Sequence, residues 1–120
     1  MALEAPDPAT LARFYTTLLE WPIVHEEPGT TVIKPPQDGV FMVFQQADGY
    51  TPPTWPPTPG AQRPMMHLDI QVDDVEAAVA DAIAAGARLA DHQPNPNAGT
   101  RRARCWLCCR VASHRLRACL

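Results

Sequence analysis

Six of the 14 prolines fall between Pro52 and Pro64, around Trp55. Proline fixes φ and has no N–H to donate, so this segment cannot continue a helix or sit centrally in a sheet. A fold for this chain must therefore place its regular elements on either side of the segment, and the apolar patterns do resume on both sides. The expected organisation is a first module over residues 1–49, a stiff, extended Pro-rich connector over 50–64, the start of a second module over 65–93, and an atypical tail over 94–120. Trp55 is expected either to pin the connector to a core or to lid a pocket.

After the connector, Met66, Leu68, Ile70 and Val72 alternate with His67, Asp69 and Gln71. Period two marks a strand with one packed face. Asp73 and Glu76 then form a carboxylate analogue of the capping box, and Val75, Ala78, Val79, Ala82 and Ile83 follow at helical spacing until Gly86 stops the helix. His67, Asp69 and Gln71 are left on the face away from that helix. A short strand is expected to begin at Ala87-Arg88-Leu89-Ala90.

The first module reads on the same plan. Met1 to Glu4 ends a strand, and Asp7 caps a helix whose first turn holds Pro8. Leu11, Phe14, Tyr15, Leu18 and Leu19 make its apolar stripe, and Trp21-Pro22 ends it. Ile23-Val24-His25, Thr30 to Lys34 and Val40 to Gln46 read as strands, with turns at Glu26-Glu27-Pro28-Gly29 and Pro35-Pro36-Gln37-Asp38-Gly39. Setting Asp7 over Asp74 aligns the two halves as strand, Asp, helix, then strands, with almost no identity. Two such units, neither able to bury its sheet face alone, would pair around one core and one cleft.

At 120 residues there is room for one ordinary domain or two small modules. The net charge of −3 argues against a polyanion-binding surface, so no nucleic-acid partner is expected. The absence of a long apolar run or signal-peptide pattern leads us to expect a cytoplasmic protein without a membrane partner. The charge average hides a split. All 13 acidic residues lie between Glu4 and Asp91, whereas six of the 10 basic ones, and all four cysteines, lie in the last twenty residues. Cys105 to Cys108 forms one C-x-x-C, with neither a second pair for a zinc ribbon nor a thioredoxin-like context for redox chemistry. We expect the pattern to change near Gln93 because the reading frame shifts there.

Phe14–Trp21 (F-Y-x-x-L-L-x-W), Phe44–Gln46 (F-Q-Q), Pro52–Pro56 (P-P-T-W-P) and His67–Asp74 (H-L-D-I-Q-V-D-D) together resemble the glyoxalase-like members of the vicinal oxygen chelate superfamily. That superfamily includes glyoxalase I, bleomycin-resistance proteins and extradiol dioxygenases. The resemblance implies an α+β fold of paired βαβββ modules forming a curved mixed sheet with a cleft, the second module being incomplete here. It also implies a site in that cleft. Metal-dependent relatives converge four ligands in the cup. His67 matches the ligand that opens the second module, and Gln45 stands where a Glu is usual. The position equivalent to His67 in the first module falls one residue before Met1, and no turn like that of the fourth ligand follows Ala98. One divalent metal ion held by His67 and Gln45 is thus the cofactor expectation. His67 is also the only candidate for a catalytic base, with Asp69 beside it on the strand.

The expected small-molecule lining is Phe41, Val43, Gln45, Trp55, His67, Asp69 and Gln71, aromatic and apolar walls with a few polar groups. The functional expectation is a glyoxalase-like domain binding a small molecule in the sheet cleft. The alternatives are a metal-dependent lyase, isomerase or dioxygenase-type enzyme, and a metal-free drug-sequestering protein of the bleomycin-resistance type, as a homodimer whose modules complete one another's clefts.

Overall fold

The computed structural model describes residues 1–63, Leu68, Ile70, residues 72–91 and the backbone of Leu107–Cys109. The fold is α+β, and the chain divides into two units, Met1–Tyr50 and Thr51–Leu120.

The first unit is a βαβββ module. Strand β1 (Ala2–Ala5) leads into helix α1 (Pro8–Leu19), and β2 (Ile23–Glu27), β3 (Thr30–Ile33) and β4 (Met42–Gln46) follow. The four strands form one sheet in the order β1-β4-β3-β2. Strands β2, β3 and β4 form an antiparallel meander, which returns β4 parallel to β1. Helix α1 makes the crossover that a parallel pair requires.

Local chemistry explains the element ends. Asp7 is the N-cap of α1, accepting from the Thr10 backbone N–H at 3.0 Å and from the Thr10 hydroxyl at 2.6 Å. Pro8 occupies the first helical turn, where a missing N–H costs nothing. Glu20 closes the helix at φ 55°, a left-handed conformation unusual for a residue with a Cβ. The turn between β2 and β3 is Pro28-Gly29, with Gly29 at φ +80°, the residue types and sign that a type II turn requires. Strand β2 runs through Glu26 and Glu27, which the sequence reading assigned to this turn, because Pro28-Gly29 suffices to reverse the chain.

Helix α1 buries Pro8, Leu11, Ala12, Phe14 and Tyr15. Against them the sheet presents Leu3 and Ala5 from β1, Thr31 and Ile33 from β3, and Met42 and Phe44 from β4, all buried. Phe44 and Ile33 are fully sealed from solvent. The Tyr15 ring stacks on Phe44 at 5.6 Å and meets Phe14 edge-on at 5.1 Å, contacts worth about 0.5–1.5 kcal/mol each beyond area burial. Leu18 and Leu19, expected on the apolar stripe, are only half-buried in the last turn of the helix.

In the second unit, residues 54–62 depart from the expected extended connector. The Thr54 N–H donates to the Gln62 carbonyl at 2.9 Å, closing a loop pinned inside by Thr58 N–H to Thr54 Oγ1 and Ala61 N–H to the Thr58 carbonyl. The Trp55–Pro56 peptide is cis. Threonines and a glycine turn between the prolines supply donors and acceptors that a polyproline strand would leave to water.

Helix α2 (Val75–Ala84) follows, and then β5 (Ala87–Leu89), which pairs antiparallel with β6 (Leu107–Cys109). The cap of α2 is Asp74, accepting from the Ala77 N–H at 3.0 Å, one residue later than the Asp73–Glu76 box predicts. Either aspartate could start the helix by type; Asp74 does so because its extended backbone aims its carboxylate at the third helical N–H. Gly86, at φ +108°, ends the helix as expected. Ala82 is the buried residue of α2, and Ile83, expected on the same stripe, is 47% exposed.

The strand expected over Met66–Val72 is not seen among its described residues. Leu68, Ile70 and Val72 lie outside any strand, and Ile70 is exposed. Alternation gives a segment two faces, but a strand exists only where a neighbour completes its ladder. Conversely β6 lies in the tail, where no period announced it. No described helix is long and apolar enough to cross a membrane.

Candidate functional site

The sheet register assigns each first-unit side chain to one of two faces. Leu3, Thr31 and Phe44 lie in one row toward α1. Glu26, opposite Thr31 on β2, shares that side and reaches the Arg13 guanidinium of α1 at 3.0 Å. The alternate residues therefore occupy the face away from the helix.

Two rows cross that face. Glu4, Gln45, Thr30 and Glu27 are successive partners on β1, β4, β3 and β2, and Ala2, Val43, Val32 and His25 form the row beside them. With strands about 4.8 Å apart, the four-strand row spans roughly 14 Å, the length of a small organic molecule. Val43, Val32 and Thr30 are half-buried, while Glu4, Gln45, His25 and Glu27 are exposed. The surface is thus an apolar strip bordered by hydrogen-bonding groups. The carboxylates accept, while Gln45 and Thr30 both donate and accept. His25 Nε2 stands 3.6 Å from Glu27 Oε2, a contact between two half-exposed groups and of correspondingly small energy.

The structure brings together some of the residues expected from sequence. Val43 and Gln45, two residues apart on β4, share the face away from α1. Phe41 lies just before β4 and is 49% exposed. Its carbonyl accepts from the Met1 amino group at 2.8 Å, and the Met1 carbonyl accepts from the Val43 N–H at 2.8 Å, so its backbone fixes the edge of the β1–β4 ladder. Val40, read as the first residue of this strand, is also outside it and 70% exposed. Trp55 is half-buried in the closed loop of the second unit. His67, Asp69 and Gln71 lie outside the described residues.

Glu4, Thr30, Val32, His25 and Glu27 were missed. Glu4, Thr30, Val32 and His25 stood in segments read as strands and Glu27 in one read as a turn, and only the strand order shows which of them share a row. Among the described residues no three of His, Cys, Asp and Glu come together in a way that would hold a metal ion. Gln45 has Glu4 and Thr30 as its ladder partners, one carboxylate and one hydroxyl beside a neutral amide, which is not the donor set of a tight divalent site.

Of the comparisons with known proteins, the family model alone shows the family. No curated protein sequence matches the chain. Among solved structures, an integron cassette protein from the mobile metagenome of V. cholerae is similar at 17% identity with a TM-score of 0.47, covering 78% of this chain and 70% of that one. The model of the Glyoxalase-like domain family matches residues 1–107, which takes in the whole first module, the second-unit helix and the beginning of the Arg- and Cys-rich tail. The chain belongs to the Glyoxalase-like domain family.

Proposed function

We propose that this glyoxalase-like domain binds a small organic molecule on the face of its first sheet away from α1. One observation carries the reading: the register sets half-buried Val43 and Val32 side by side and borders them with the row Glu4, Gln45, Thr30 and Glu27. An apolar strip edged by a few oriented polar groups is the usual composition of a small-molecule site. The ligand fitting it has a flat apolar body to lie over the valines and hydrogen-bond donors to meet the carboxylates and the Gln45 amide oxygen. Phe41, just before β4 in the same unit, is a candidate for a further contact, and metal chelation by His67 with Gln45 is not required for binding of this kind.

The test is a thermal-shift screen of a small-molecule library on the protein purified without chelator, repeated on Gln45→Ala and Val43→Asp. A ligand at a hundred times its Kd stabilises the folded state by about 2.7 kcal/mol. Compounds that stabilise the wild type are expected to lose most of that effect in both variants. Hits that stabilise all three proteins equally would place binding elsewhere and overturn the reading. Elemental analysis of wild type and His67→Ala, run alongside, reports whether bound metal accompanies the ligand.

A further inference from the structure

We draw no further inference here: the strongest candidate, the closed Pro-rich loop Thr54–Gln62 with Pro56, Pro57 and Pro59 exposed at its tip, is an apolar surface for which nothing in the structure shows what covers it.

Discussion

Two aspartates, Asp7 and Asp74, do the same work in the two units, each accepting from the backbone N–H three residues on. Removing an N-cap oxygen costs about 0.5–2 kcal/mol. Asp7 also holds the Thr10 hydroxyl and caps the helix that carries the core of its unit, so Asp7→Ala is expected at the upper end of that range and Asp74→Ala at the lower. Urea unfolding followed by circular dichroism checks the order; equal or reversed losses would contradict it. Glu20 offers the opposite case. Its φ of 55° is disfavoured for a side chain with a Cβ and free for glycine, and Glu20→Gly is expected to stabilise the protein by about 0.5–1 kcal/mol, read as a higher urea midpoint with unchanged slope. Both aspartates were legible in the sequence through their repeat alignment, although the local box pointed to Asp73. Glu20 was not, because nothing in its residue type announces a left-handed backbone.

At the level of elements, what could be read was set by whether a pattern carries its own partner. A helix satisfies its hydrogen bonds internally, so both helices could be read from spacing and the stop of α2 from Gly86, whereas α1 ends at Leu19 with Glu20 as its cap, just before the stop read at Trp21-Pro22. A strand depends on a neighbour. The hairpin β2–β3 was legible through Pro28-Gly29, whereas the alternation of Met66–Val72 promised a strand that its described residues do not form, and β6 arose where no alternation stood. The Pro28-Gly29 turn sets the register that aligns Glu27 with Thr30 and thus the outer half of the polar row. Gly29→Ala puts a Cβ at φ +80°, where Gln46 lies at an ordinary 3.6 Å, so the cost comes from the backbone and not from crowding. A loss of about 1–2 kcal/mol is expected, measured by thermal or urea unfolding, and a neutral result would mean that the turn relaxes to another type.

At the scale of the molecule, the proposed binding face lies on the side of the sheet opposite the one that carries its core, and neighbouring residues separate them. Phe44 points into the core, fully buried against Tyr15, while Gln45 points away from α1 and is exposed. Truncating a buried aromatic costs about 3–5 kcal/mol, a large share of the 5–15 kcal/mol that holds a typical domain. Phe44→Ala is therefore expected to lower the urea midpoint sharply and to cost ligand stabilisation only because less protein is folded. Gln45→Ala is expected to unfold within about 0.5 kcal/mol of wild type, as exposed substitutions do, and yet to lose the thermal shift from ligand. Measuring both quantities on both variants separates a site from a scaffold. If Gln45→Ala kept the full ligand response while Phe44→Ala behaved as expected, the sheet face would be solvent-facing surface of a family fold, and the ligand would have to be sought among the contacts of the second unit.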